Sequence, residues 1–106
     1  MQQLYPELLK RLDDSNDHVR KVSCETFIHF LRAASPQCFR GTPLEYSLET
    51  LFVHLDDAEK SVQEAVFEVV KECVRIDKTL VAKKATEHRA RHRSPLYCDE
   101  LIKMCL

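Results

Sequence analysis

The chain has 106 residues, a single glycine, four prolines and a formal charge of −1 from 16 basic and 17 acidic side chains. That length suits one domain with a buried core, the scarcity of glycine is poor material for sheet turns, and the near-neutral charge supplies no global field to draw the protein onto nucleic acid or anionic lipid. No apolar run approaches bilayer-spanning length, and the N-terminus lacks a basic segment followed by an apolar one, so a soluble, unexported, all-α protein is expected.

In chain order, Leu4, Leu8, Leu9 and Leu12 step by three and four and give a first helix one apolar face. The stretch "DDSND" at residues 13–17 breaks that pattern. Its carboxylates and amide can accept from the free N–H groups of a following helix, and their charge suits that helix's positive end, so Asp13 and Asp14 are read as a turn and cap. The second helix carries Val19, Val22, Ser23, Thr26, Phe27, Phe30 and Leu31 on one stripe. "ASPQCFRGT" then interrupts, setting a boundary near residues 35–42. Thr42 as cap and Pro43 in the first turn open a third helix with Leu44, Leu48, Leu51, Phe52 and Leu55 on its face. "DDAEK" follows, with Asp56 and Asp57 in the same turn-and-cap role, and a fourth helix shows Val62, Ala65, Val66, Val69, Val70, Cys73 and Val74. "KTLVAKKATEHRARHR" reads as a fifth helix stopped before Pro95, and "PLYCDELIKMCL" as a sixth with Leu96, Leu101, Ile102 and Cys105 in its stripe.

The first four helices are one unit stated twice. Leu12, Asp13, Asp14 and Val19 recur 43 residues later as Leu55, Asp56, Asp57 and Val62. The two small polar members of the first stripe, Ser23 and Thr26, become Val66 and Val69, so the repeated property is a packing surface and not a set of reactive groups. The expected architecture is an α-solenoid of antiparallel helix pairs, about two and a half repeats long: repeat 1 over about 4–34, repeat 2 over about 43–76, and a capping helix pair over about 77–106. Two full units fall short of the roughly three that make such a stack stable, so the chain is read as a fragment of a longer solenoid. The N-terminal apolar face around Leu4, Tyr5 and Leu8 should then need a preceding repeat, and self-associate or lose stability without one.

A two-helix unit of this length lies in the range of about 40 to 47 residues found for HEAT and armadillo repeats. With Leu9-x-x-Leu12-Asp13-Asp14 at the turn and Val19-Arg20 opening the second helix, residues 4 to about 76 resemble the HEAT family. Gln63 stands where that family usually has a basic residue, which should weaken any ladder of basic side chains with the turn aspartates. "HLDD", "VQEAVFEVVKE" and the tail "HRSPLYCDELI" further resemble the C-terminal repeats of HEAT-repeat proteins among the dynein axonemal assembly factors. The resemblance implies a non-catalytic, cytoplasmic protein-binding scaffold in the preassembly of dynein arms for motile cilia. Its implied partners are dynein subunits, chaperones and other assembly factors, with no membrane contact.

Read from the residues alone, the strongest local charge is the run holding Lys83, Lys84, Arg89, Arg91 and Arg93, a possible binding patch for an acidic partner or phosphates. No aromatic side chains are interleaved for base stacking, and a nucleic-acid-binding helical-repeat module is the alternative function. His88 and His92 have the spacing to share a metal, with Cys98 behind them, yet Pro95 interrupts the geometry and no glutamate is placed as in a zinc hydrolase helix. They are read as part of a polar face. "DDSND" lacks the turn glycine of a calcium loop, His18 standing in its place. The five cysteines are odd in number and expected to be reduced thiols; Cys24 and Cys73 sit on apolar stripes without a neighbouring base, so neither an enzyme nor a cofactor is expected.

Overall fold

A computed structural model describes residues 4–33, 41–92 and 96–105, with side chains from Pro6 onward. Six helices account for the described elements: α1 (Leu4–Arg11), α2 (Asp17–Ala33), α3 (Thr42–Leu55), α4 (Lys60–Ile76), α5 (Lys78–Arg89) and α6 (Leu96–Cys105). No strand occurs among the described residues. Each odd helix packs on the even one that follows it, and the pairs then stack side by side, with α1, α3 and α5 forming one layer and α2, α4 and α6 the other. The molecule measures 33 × 32 × 17 Å between Cα extremes. Two helix layers need about 13–15 Å, from about 8–10 Å between axes plus a backbone radius of about 2.3 Å on each side, so the short dimension has room for two layers and not for a third. The result is an all-α helical-repeat solenoid.

The middle pair is buried most completely. Leu44, Leu48, Leu51, Phe52 and Leu55 of α3 are at most 1% exposed, and Val62, Val66, Val69, Val70 and Cys73 of α4 are fully buried. Each such side chain withdrawn from water contributes about 1.5–3 kcal/mol before the entropy of ordering is subtracted, so this central sandwich dominates cohesion. In α1 the expected Leu8, Leu9 and Leu12 are all buried, while the side chains of Leu4 and Tyr5 lie outside the described residues. Leu8 is therefore covered by the chain itself, not by a missing neighbour.

Three sequence expectations need correction. On α2 the buried face is Ser23, Cys24, Phe27, Phe30 and Leu31, whereas Val22 and Thr26 are exposed and Val19 half-buried. The stripe is rotated because α1 and α4 lie on one side of α2 only. On α6 Leu96 is exposed and Cys98 takes its place beside Leu101 in the core. Thr42 does not cap α3: Gly41 holds that position at φ +90°, a left-handed conformation open to glycine, with Pro43 in the first turn and no side-chain cap bond.

Candidate protein-binding face

The turns that join the helices of each pair show what the aspartates do. Asn16, not Asp13 or Asp14, caps α2: its Oδ1 accepts from the N–H groups of His18 (2.9 Å) and Val19 (3.2 Å), the second and third residues of the helix. Asp14 makes the bend before it, its Oδ1 accepting from the Asn16 N–H at 2.8 Å, and Asp57 does the same for Glu59 at 2.9 Å. Glu59 precedes α4 without a side-chain cap bond; its carbonyl takes the N–H groups of Val62 and Gln63. Asp56 ends α3 through its backbone N–H, and Asp13 is exposed with its Oδ1 3.1 Å from His54 Nε2. The carboxylates therefore bend the chain and bond across repeats, while the N-terminal capping of α2 falls to an amide. A further cap went unread in the sequence: Asp77 accepts from the Leu80 N–H at 3.2 Å and opens α5, although an aspartate directly before an apolar-containing run is the standard signal.

Across the seam between the first two pairs, the Arg20 guanidinium reaches the Asp57 carboxylate and also Asp17 at 3.3 Å. Arg20 and Asp57 are 12% and 15% exposed, so this is a largely desolvated pair. Gln63, the residue expected to weaken the basic ladder, turns back onto the Asp57 carbonyl instead of reaching forward. At the other end of the seam Arg75 donates to the Leu31 carbonyl at 3.2 Å, one of the free acceptors near the end of α2, and Glu72 joins Arg32 (3.0 Å) to Arg75 (3.3 Å). The α2–α4 layer is thus pinned at both ends of its seam.

That layer presents a groove of about 560 Å³ between α4 and α6. Phe67 and Tyr97 meet at its floor with ring centroids 4.9 Å apart and a 49° tilt, and Lys71 lies over the Phe67 ring at 5.1 Å. Leu96, 69% exposed, and the polar ends of Lys60, Gln63 and Glu100 form the rim. An apolar aromatic floor with a charged rim is the arrangement of a protein contact. A smaller groove of about 210 Å³ follows the α2–α4 seam past Lys21, Cys24, Glu25 and Ile28.

The basic run is not presented as one patch. Lys83 and Arg91 are exposed, and Arg93 lies outside the described residues. Arg89 is exposed but ion-paired with Asp99. Lys84 is a correction: only 6% exposed, it faces α3, bonded to Glu49 and lying 3.4 Å from Glu45 and 3.8 Å from Glu87. The Glu49 carboxylate, its largest influence, raises the Lys84 pKa, and Lys84 in turn lowers that of Glu49, so both hold their charge. The histidines are absorbed by packing as well. His88 stacks on Phe52 at 5.2 Å with Nε2 3.4 Å from Glu49, and His92 Nδ1 lies 3.5 Å from the Cys98 thiol. Burial pushes the thiols of Cys24 and Cys73 up to about 12 and that of Cys98 to about 11, which keeps them protonated. Cys24, Cys73, Cys98 and Cys105 are all free. Among the described residues no helix is long and apolar enough to cross a membrane.

Comparison with known proteins places this geometry in context. Residues 4–34 match the HEAT repeat family. Along nearly its whole length the chain is similar to two proteins named dynein axonemal assembly factor 5: 37% identity over 105 residues with that of Xenopus laevis, and 35% over 103 residues with that of Homo sapiens, covering 96% and 94% of this chain. It spans 12% of the length of each. No solved structure matches.

Proposed function

We propose that the chain is a HEAT-type helical-repeat segment that works as a non-catalytic protein-binding scaffold in the assembly of axonemal dynein, its partners being dynein subunits and the assembly factors that handle them in the cytoplasm. The observation that carries this reading is similarity to dynein axonemal assembly factors over 94–96% of the chain, on a fold that presents an aromatic groove without a nucleophile–base pair along its lining. HEAT pairs build extended surfaces from packed helices, which is how a scaffold gathers partners without changing them chemically. The immobilised chain, offered an extract of cells building motile cilia, should retain axonemal dynein subunits, and Phe67→Ala with Leu96→Ser should release them while the helical signal stays. Retention no greater than on an unrelated helical-repeat protein would overturn the proposal. Binding of nucleic acid that weakens steeply with salt and is lost in Lys83→Glu with Arg91→Glu would favour the alternative instead.

A further inference from the structure

Tyr46 and Val53, 58% and 62% exposed, are large apolar side chains that neither the core nor the α4–α6 groove uses. They stand two turns apart on α3 and so share one line along that helix, about 10 Å long. Because α1 and α5 flank α3 and α4 packs beneath it, this line lies on the outer layer and faces away from α2, α4 and α6. Helix pairs added at either end of the stack lengthen the layers sideways and leave the line open. A groove of about 100 Å³ between α1 and α3 adjoins it, with Pro6, Leu9, Tyr46 and Thr50 in its lining.

Carboxylates border the line on both sides. Toward α5, the exposed Glu45, Glu49 and Glu87 share the single ammonium of Lys84, so the cluster stays net negative even with the His88 imidazole, 3.4 Å from Glu49, counted as a cation. Lys84 holds the Glu49 pKa below the ordinary carboxylate value and keeps it ionised. Toward α1, the exposed Asp13 lies 3.1 Å from His54, whose pKa burial holds low, so at neutral pH the aspartate's charge stands. Lys10 is matched by Glu7 at 3.5 Å. Lys83 sits about 100° round α5 from Lys84, the side chain turned to α3.

We propose that the outer face of α3 is a second docking surface, which takes a basic amphipathic helix of a protein partner. Its apolar stripe lies along Tyr46 and Val53, and lysines or arginines on its flanks meet Glu45 and Glu87 on one side and Asp13 on the other. A helix with apolar residues one and two turns apart matches the spacing of the line, and its charge complements the border. The same carboxylates repel anionic lipid and nucleic acid. This surface lies on the layer opposite the Phe67 groove and does not rest on the dynein reading.

The probe is a synthetic amphipathic helix with leucines one and two turns apart and lysines on both flanks, titrated against the isotope-labelled chain. Amide shifts should saturate and centre on Tyr46, Thr50 and Val53. Binding should weaken about tenfold in Tyr46→Ser with Val53→Ser, and about fivefold with a shallower salt dependence in Glu45→Gln with Glu87→Gln. Phe67→Ala with Leu96→Ser should leave it unchanged, so this surface and the dynein-binding groove fail or succeed separately. Shifts centred on the groove, equal binding by a peptide with glutamates in place of the lysines, or no saturation by about 1 mM peptide overturns the proposal. Reversible dimers of the chain that disappear in Tyr46→Ser with Val53→Ser overturn the choice of occupant.

Discussion

Aspartates that look alike in sequence differ in consequence because their surroundings differ. Asp57 and Arg20 are both largely buried, so Asp57→Ala strands a guanidinium and should cost about 3 kcal/mol, seen as a lower denaturant midpoint. Asp14, exposed and bonded only within its own turn among the described residues, should cost about 0.5 kcal/mol when changed to alanine. Asn16→Ala removes the α2 cap and should fall between them at about 1 kcal/mol. Equal losses at Asp14 and Asp57 would refute the cross-repeat pair. Lys83 and Lys84 form a second contrast between neighbours. Lys83→Glu changes an exposed side chain and should stay within about 0.5 kcal/mol, whereas Lys84→Glu adds a buried carboxylate beside Glu45, Glu49 and Glu87 and should cost more than about 3 kcal/mol.

Between elements, the turn network ties stability to pH through His54, which joins the first turn to the second by lying 3.1 Å from Asp13 and 3.7 Å from Asp57. Burial is the largest influence and holds its pKa below the ordinary 6.5; Asp13 pulls it back up and Arg20 pushes it down. His92 is also held low, first by burial, with Asp56 opposing and His88 adding to it. Well above 6.5 these imidazoles are neutral in folded and unfolded chains alike. As pH falls through 6.5 the unfolded chain takes up protons that the folded one resists, so stability declines until the folded pKa values are passed. The melting temperature should therefore drop between about pH 7 and pH 5, and His54→Gln with His92→Gln should flatten the drop; an unchanged slope in that double variant would show that other groups control it. The helices themselves were legible because their apolar spacing is local, and all five apolar positions read on α3 are buried because α1, α4 and α5 all pack against that helix, which also buries the unread Ser47. The α2 stripe was misjudged at Val22 and Thr26 because periodicity marks a face without saying which neighbours cover it. The Arg20–Asp57 contact spans 37 residues and was visible only as a family tendency, and Lys84 was grouped with Lys83 because charge density in sequence carries no direction around a helix.

At the scale of the molecule, cohesion is uneven. The α2–α4 contact is the most extensive and is fastened at both ends, whereas α5 and α6 pack mainly on each other and α6 touches α4 only slightly across the open groove. In a repeat stack each unit is stabilised by its neighbours, so a weak last interface allows the terminal hairpin to open while the rest stays folded. Amide exchange should accordingly rank α3 and α4 slowest and α6 fastest among the fully formed helices. Leu101 tests this, being fully buried in the core on the α6 side. Leu101→Ala should destabilise the α5–α6 hairpin by about 2–4 kcal/mol, enough to speed its exchange thirtyfold or more, while α2 and α4 keep most of their protection. If Leu101→Ala accelerates exchange in α2, α4 and α6 by one common factor, the three pairs unfold as a single unit, and the loosely attached end inferred from the groove does not exist.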